Sequence, residues 1–263
     1  MADSPITALV ASRNEGALLS ECLESVAFCS KVIMVDLEST DNTLAEAKKH
    51  NVKIIKHDWV PVVEMLHADM IPKIKSDWVL ILDPDERVRA ALARELLEFV
   101  KTKQSRNVGI VYVPFQFYFK KKKLSGGIWG GIKSKRLLLN TAGITLSPNV
   151  HLGTTLKKDF RDYHIEYSSD NIVDHYWMSS YSQLFEKHKR YIEREGKARF
   201  EQGLRFRYRQ LVSAPVQGFL EAFVSKQGYK DGITGLFLAL FWGWYNYASR
   251  LSLKKYQKEH SAA

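Results

Sequence analysis

Short apolar runs alternate with amphipathic segments over the first hundred residues of the chain. Apolar runs at 6–11, 31–36, 52–55 and 78–83 predict buried strands, and helical spacing between them predicts helices, including one at 62–70. Strands that are apolar on both faces are typical of a parallel sheet with helices on both sides. We therefore predict an α/β fold built on a mainly parallel sheet.

Three of these strands run directly into clusters of polar side chains. The clusters are Ser12, Arg13, Asn14 and Glu15 after the first strand, Asp36 at the end of the second, and Asp83, Asp85 and Glu86 after the fourth. Ligands bind at the carboxyl ends of the strands in α/β sheets. The pattern therefore predicts a site at this edge of the sheet.

The pattern changes after residue 89. It predicts a helix at 90–103, an aromatic strand at 108–119, a glycine-rich turn at 126–131, a short strand at 136–139 and a basic helix at 182–202. We therefore divide the chain into an α/β domain at 1–180 and a basic helical extension at 181–263.

The extension contains 18 consecutive uncharged residues at 232–249. A membrane-spanning helix needs about 20 mostly apolar residues, so the segment lies at the lower limit. Its glycines and terminal aromatic residues, followed by Arg250, Lys254, Lys255 and Lys258, favour contact with the surface of an anionic membrane. A buried core helix and a membrane-spanning helix are the alternatives.

The formal net charge of the 263-residue chain is +10, and residues 101–140 alone hold ten Lys and Arg and no Asp or Glu. Such a surface favours an anionic partner, either a phosphorylated metabolite, an acidic lipid or a nucleic acid; a solvated basic face is the alternative. The hydrophobic fraction of 45% excludes a disordered chain.

Two cysteines, Cys22 and Cys29, are too few for a disulfide framework, and we expect both to be reduced thiols. The N-terminus has no basic region, and its apolar run is too short for a signal peptide. These features predict a cytoplasmic protein, peripheral at the inner face of the cytoplasmic membrane.

Asp83 and Asp85 are the strongest candidates for a metal site. Two carboxylates one residue apart, at the end of a buried strand, can turn toward one divalent ion. Mn²⁺ and Mg²⁺ prefer such oxygen ligands together with substrate phosphates. A turn in which the acidic side chains cap a helix would give the same pattern.

Three segments resemble, in order and spacing, the signature segments of family-2 glycosyltransferases with the GT-A fold. They are 10–15 (VASRNE), 35–43 (VDLESTDNT) and 77–86 (DWVLILDPDE). The resemblance is closest to the bacterial branch that includes the lipopolysaccharide core β-1,4-glucosyltransferases. Further similar segments, around Trp129, Arg136, 150–151, 174–176 and 228–232, extend it over nearly the whole chain.

The resemblance implies a role for each matching residue on the donor side. The residues from Ser12 to Glu15 would line the nucleotide pocket. Asp36 would contact the base or ribose, and Ser39 and Asp41 would shape the start of the next helix. Asp83 and Asp85 would hold the metal and the donor diphosphate. Helix capping is the alternative for Asp36 and Asp41.

The acceptor side is assigned to a second set of residues: Trp129, Arg136, Glu166 and His175. Core packing is the alternative for Trp129. A packed histidine held by Asp174 is the alternative for His175.

The chain departs from the family pattern at three places. Glu38 stands where the family usually has a small residue, Ala68 and Asp69 replace an Arg-Asn pair, and Leu152 replaces a glutamate. Because leucine cannot accept a proton, we predict His151 on the acceptor side, since an imidazole titrates near neutral pH. Its role is either the general base or a ligand of metal or phosphate, and Glu166 and Asp174 are the alternatives for the base.

These residues together predict inverting transfer of a hexose from a UDP-sugar or another nucleotide-diphosphosugar. The expected acceptor is a membrane-associated glycolipid or polysaccharide of the cell envelope. The alternative is a catalytically degenerate protein of the same fold that binds a nucleotide sugar or another anion at a membrane. We expect no nucleic-acid partner, because the positive charge is the sole argument for one. The lysine run 120–123 suits a phosphorylated glycolipid equally well.

Overall fold

The structure, a computed structural model, describes residues 5–148 and 153–260. These residues form two compact units. The first contains the chain up to residue 115 together with 133–175, and the second contains 116–132 and the chain from 176 onward. The division into domains at 180/181 stays a prediction, because compactness alone does not show which segments fold independently.

The first unit begins with alternating strands and helices. They are β1 (Ile6–Ser12), α1 (Gly16–Ser25), β2 (Lys31–Asp36), α2 (Thr43–Ala47), β3 (Lys53–Lys56), α3 (Val63–Met70) and β4 (Trp78–Leu82). Strand β1 pairs in parallel with β2 and β4, and β2 pairs in parallel with β3. The predicted parallel sheet is confirmed, with each strand close to its predicted position.

Helices cover both faces of this parallel sheet. In the strand order β3-β2-β1-β4, strands β2 and β3 lie on one side of β1, and β4 lies on the other side. Right-handed crossovers therefore place α1 and α2 on one face and α3 on the other. Leu66 and Met70 of α3 accordingly pack in one core cluster with Leu9 and Ile33.

Antiparallel pairs among the later strands make the main sheet mixed. The later strands are β5 (Glu86–Val88), β6 (Val108–Phe119), β7 (Lys122–Lys123), β8 (Ile132–Asn140), β9 (Ile144–Leu146), β10 (Thr154–Leu156), β11 (Arg161–His164) and β12 (Val173–Met178), with α4 (Ala90–Phe99) between β5 and β6. The main sheet has the order β3-β2-β1-β4-β8-β6-β12-β5, and β9 pairs with β10 in a separate two-stranded sheet. Strand β8 is antiparallel to β4, and β12 is antiparallel to β5.

The second unit is mostly helical. It contains the last residues of β6 and β12, strand β7, and the helices α5 (Tyr181–Glu201), α6 (Gln210–Leu220) and α7 (Ile233–His260). Ser180 caps α5, because its side chain accepts the backbone N–H of Gln183 at 3.1 Å. The apolar core of this unit consists of Phe119, Leu124, Trp177, Met178, Leu184, Leu238 and Phe241.

The uncharged segment 232–249 lies almost entirely within α7. No helix within the described ranges combines the length and the apolar character that crossing a membrane requires. Several residues of the segment are buried, among them Leu238, Phe241 and Tyr245. The membrane-spanning alternative is therefore wrong for these residues, and contact with a membrane surface stays a prediction.

Both cysteines are free thiols in the interior. Burial raises the pKa of Cys29 to about 12 and raises the pKa of Cys22 well above its ordinary value. The two side chains thus behave as apolar core residues rather than as nucleophiles.

Candidate active site

The carboxyl ends of β1, β2 and β4 form one edge of the sheet in the first unit. The strand order reverses between β1 and β4, and such a switch point is where α/β sheets bind ligands. Buried Ser12 ends β1, buried Asp36 ends β2, and Asp83 directly follows β4. The predicted edge therefore brings these three residues to the same end of neighbouring strands.

Side chains tie the loop after β1 to the loop after β2. The Asn14 carboxamide oxygen accepts the backbone N–H of Thr40 at 2.7 Å, and Ser39 Oγ accepts the backbone N–H of Asn14 at 3.1 Å. Asp36 Oδ1 accepts the backbone N–H of Ser39 at 3.3 Å. The two loops are thus held together around an edge at which Arg13 lies over the Trp59 ring, 5.2 Å from its centroid.

Asp41 holds the start of α2 against the start of α1. Its carboxylate accepts the backbone N–H of Thr43 at 2.9 Å and of Gly16 at 3.2 Å. Loss of hydration raises the pKa of Asp41, but these hydrogen bonds and the one from the Thr43 hydroxyl together outweigh it and lower the pKa. Glu15 lies in the same turn, where its backbone N–H donates to Thr43 Oγ1 at 3.0 Å.

Glu38, one of the departures from the family pattern, has an unfavourable backbone conformation. Its φ is 59°, in the left-handed region, where a residue with a Cβ is disfavoured relative to glycine. Glycine would adopt this conformation without that penalty. The glutamate keeps the same turn at a conformational cost.

A pocket of about 130 Å³ lies beside the end of β4. Its lining combines apolar, acidic and basic residues, namely Val63, His67, Ile81, Leu82, Asp83, Glu86, Phe115, Lys135 and Arg136. Carboxylates and cations in one small pocket suit a ligand that brings both anionic groups and a metal ion.

Asp85, Glu86 and His175 form a group of possible metal ligands. His175 Nε2 lies 3.1 Å from Asp85 Oδ2, and His175 Nδ1 lies 3.4 Å from Glu86 Oε1. The antiparallel pairing of β5 with β12 sets this geometry, because it puts His175 opposite Glu86. One ligand atom from each of the three residues lies within 4.8 Å of the others.

Glu86 is already engaged within the protein. Its Oε1 lies 2.8 Å from Lys135 Nζ, and its Oε2 accepts the backbone N–H of Asp83 at 3.1 Å. Buried Arg87 supports the same turn, since its guanidinium donates to the carbonyl of Pro84 at 2.6 Å. Glu86 therefore links this group of possible ligands to Lys135 and to the end of β4.

Asp83 has a perturbed carboxyl group. It keeps solvent exposure at the pocket mouth, but protein atoms crowd its other sides. This loss of hydration, together with the negative charges of Glu86 and Asp85, raises the pKa of Asp83 to about 7. A bound cation would relieve that repulsion.

The residues predicted for the acceptor side belong to both compact units. Arg136 lines the pocket, and His175 contacts Asp85. Glu166 is exposed in the loop after β11. In the second unit, Trp129 is half-buried and stacks on Trp177 with ring centroids 4.5 Å apart.

Two further predictions concern His175 and His151. The Asp174 carboxylate pairs with Arg89 at 2.7 Å, and His175 Nε2 lies 3.1 Å from Asp85 Oδ2. His175 is buried, so a packed histidine stays the alternative to an acceptor-side role. His151 and Leu152 lie outside the described residues, so His151 as the general base stays a prediction.

Lys135 and His67 line the pocket and were missed by sequence reasoning. The strand that carries Lys135 was predicted at 136–139, because the lysines and serine before it interrupt the apolar run. The observed β8 begins at Ile132 and pairs Leu80 with Leu138. Continuing that antiparallel register brings Lys135 beside the end of β4.

Comparison with known sequences decides the family. Residues 7–163, more than half of the chain, match the profile of Glycosyl transferase family 2. The chain belongs to the family-2 glycosyltransferases. The first unit accordingly has a GT-A-like fold, with a mixed sheet in which β1 to β4 are parallel.

The family-2 chain is similar to several named proteins. An uncharacterized glycosyltransferase of Rickettsia typhi is 25% identical over 236 residues, which cover 88% of this chain and 80% of that protein. The lipopolysaccharide core biosynthesis glycosyltransferase LpsC of Rhizobium meliloti is 30% identical over 98 residues, 35% of this chain and 36% of LpsC.

Among solved structures, a glucosyl-3-phosphoglycerate synthase of Mycobacterium tuberculosis, in complex with Mn²⁺, UDP and glucosyl-3-phosphoglycerate, is also similar. The two chains are 16% identical, with coverage of 43% of this chain and 44% of the other and a TM-score of 0.35.

Proposed function

We propose that this family-2 glycosyltransferase transfers a hexose, with inversion, from a UDP-sugar or another nucleotide-diphosphosugar. The proposed acceptor is a hydroxyl group of a glycolipid or polysaccharide at the inner face of the cytoplasmic membrane. The proposal depends above all on the pairing of Asp85 with His175 beside Asp83 and Lys135 at the end of β4. The partial similarity to LpsC supports a role in lipopolysaccharide or other cell-envelope glycan synthesis.

The possible ligand atoms of Asp85 and His175 have a spacing that fits a divalent metal. Asp85 Oδ2 and His175 Nε2 are 3.1 Å apart. Adjacent ligands of an octahedral Mg²⁺ or Mn²⁺ at about 2.1 Å from the ion lie about 3.0 Å from each other. Asp85 and His175 would therefore hold Mn²⁺ or Mg²⁺, and Asp83 stays a predicted ligand of the ion or the diphosphate. A bound ion would stabilise negative charge on the departing diphosphate.

The basic residues of the pocket act on the same diphosphate. Lys135 and Arg136 place two positive charges beside the carboxylates, where they orient the diphosphate and favour its departure. In the proposed reaction, the acceptor oxygen bonds to the sugar carbon as the bond to the diphosphate breaks. The electron pair of that bond leaves with the diphosphate. His151 is the proposed acceptor of the hydroxyl proton.

A protein that binds the nucleotide sugar without turnover is the second candidate. Lys135 favours it, because a fixed ammonium 2.8 Å from Glu86 supplies a positive charge for an anion without a metal. Leucine at position 152, where the family pattern has a glutamate, also favours binding without turnover.

Calorimetric titration of UDP, with and without Mn²⁺, tests the site. Because Asp85 and His175 would both bind the ion, Asp85→Asn and His175→Gln should each lower the Mn²⁺-dependent affinity about tenfold or more. A matched control is Asp162→Asn, which changes an exposed Asp–His pair in which Asp162 and His164 lie 3.6 Å apart. The control should bind as the unmodified protein does.

Unchanged Mn²⁺-dependent affinity in Asp85→Asn would contradict the assignment of the metal site. A panel of nucleotide sugars then separates the two functions. Turnover with one of them supports the transferase, and binding without turnover supports the second candidate. If no nucleoside diphosphate binds under any condition, both candidates fail.

A further inference from the structure

Two helices of the second unit expose a series of large apolar side chains. On α6 and the turn after it these are Val212, Val216, Leu220 and Val224, and on α7 they are Ile233, Leu236, Leu240, Trp244, Tyr247 and Leu251. Their exposed fractions range from 38% to 87%. We call these ten residues the apolar face. So many large apolar side chains exposed on two neighbouring helices are unusual for a protein that contacts only water.

The spacing of these residues places them in one stripe on each helix. The exposed residues of α6 follow one another in steps of four, and those of α7 in steps of three or four. The packed residues lie elsewhere on each helix. Gly218 of α6 approaches Asn246 of α7, and Gly243 of α7 approaches Pro215 of α6.

The two stripes turn to the same side of the helix pair. The helices are antiparallel, because residues near the start of α6 meet the end of α7, as Phe206 does with Gln257. With about 100° per residue, each stripe lies roughly 90–150° clockwise from the face that packs on the other helix, viewed from its own N-terminus. In antiparallel helices, rotations in this same sense bring both stripes to one side of the pair.

Positive charge borders the apolar face at both ends. Residues 205–230 contain five Lys and Arg and one acidic residue. Arg205, Arg207 and Arg209 precede α6 and are exposed, while Lys226 and Lys230 lie in the turn between the helices. The aromatic Tyr208 and Tyr229 are 73% and 52% exposed in the same two border regions.

We propose that the apolar face docks on the surface of a bilayer that contains anionic lipids. Apolar side chains enter the boundary between headgroups and acyl chains, and cations at both ends meet the anionic headgroups. Tyrosines at the border suit the headgroup level, where their rings are apolar and their hydroxyls stay hydrated. The inference rests on the proposed function only in placing the acceptor at the membrane.

This surface differs from the one predicted from the segment 232–249. Seven of the 18 residues of that segment are buried, and the apolar face includes residues of α6 that lie outside it. Deletion from residue 232 onward would therefore remove Leu238 and Phe241 from the core and could not report on docking alone. Substitutions of exposed residues avoid this problem.

Vesicle flotation tests the proposal with the full chain. The triple variant Val216→Ser, Leu220→Ser, Leu240→Ser changes three residues that are 48–57% exposed. It should bind vesicles of phosphatidylethanolamine and phosphatidylglycerol about tenfold less than the unmodified chain. The double variant Lys226→Glu, Lys230→Glu should also bind less, and added salt should weaken binding of the unmodified chain. The control is Tyr167→Ser in the first unit, where Tyr167 is 53% exposed.

Equal binding of the triple variant and the control would overturn the proposal. So would a chain that binds no vesicles but forms a dimer which the triple variant dissociates, since the face would then bind a second copy. Titration with UDP and Mn²⁺ on the same proteins separates this result from the proposed function. Docking without nucleotide binding supports the face and contradicts the transferase, and the reverse result contradicts only the face.

Discussion

The imidazole of His67 is 8% exposed on α3, and its Nδ1 has no hydrogen-bond partner within the part of the chain that the structure describes. Burial, and secondarily the charge of Arg136, lowers the pKa of His67 from 6.5 to about 4. A neutral imidazole in this position leaves the pocket without a further positive charge. Because this pKa is lower in the folded chain than in the unfolded chain, protonation of His67 favours unfolding.

This coupling predicts a loss of stability in acid. Between pH 6.5 and about 4 the unfolded chain binds a proton at His67 that the folded chain does not bind. The contribution of His67 to stability is thus complete above pH 6.5 and is lost as the pH falls toward 4, by about 3 kcal/mol. Denaturant unfolding at several pH values should show a weaker pH dependence for His67→Gln. An unaltered slope in His67→Gln would contradict the assignment.

Asp231 joins two segments of the second unit that are far apart in sequence. Its buried carboxylate accepts the backbone N–H groups of Ser125 at 2.8 Å and Gly126 at 3.0 Å. Gly126 also lies so close to the turn before α7 that a Cβ would meet the carbonyl oxygen of Gln227 at 2.0 Å. The glycine-rich turn and the 228–232 segment are therefore one packed element.

Loss of this carboxylate should loosen both segments. Asp231→Ala leaves two inward-facing N–H groups without an acceptor, so the free energy of unfolding should fall by about 2 to 4 kcal/mol. Hydrogen exchange at Ser125 and Gly126 should accelerate with it. Glu193→Ala, which removes an exposed carboxylate from α5, serves as the control. If both variants were equally stable, Asp231 would have no part in holding the turn.

Local sequence patterns were sufficient to predict β1 to β4, but not which residues far apart in the sequence come into contact. The apolar runs predicted β1 to β4 and the polar residues at their ends, because both signals lie within a few neighbouring residues. His175 and Asp85 are separated by 90 positions, and only the β5–β12 register brings them together. Nor does local spacing show that α6 contributes to the apolar face, since that follows from how α6 and α7 pack.

The two compact units do not follow the predicted division of the chain at 180/181. Phe119, Leu124, Trp177 and Met178 precede this point, yet they pack in one core cluster with Leu184, Leu238 and Phe241. Burying a large apolar side chain contributes about 1.5–3 kcal/mol. Four such residues therefore represent about 6 to 12 kcal/mol, which is comparable with the whole stability of a typical domain.

A fragment that ends at residue 180 should consequently fail to fold as a stable domain. It keeps the four apolar side chains but loses the helices that cover them, so it should bind a hydrophobic dye strongly and unfold without a cooperative transition. The full chain provides the reference, and a chain that ends at residue 258 is the matched control, because the residues from 258 to 260 are exposed. Cooperative unfolding of the 1–180 fragment, with the UDP affinity of the full chain, would instead establish the boundary at 180/181. The chemistry at Asp85 and His175 would then be independent of the helical segment.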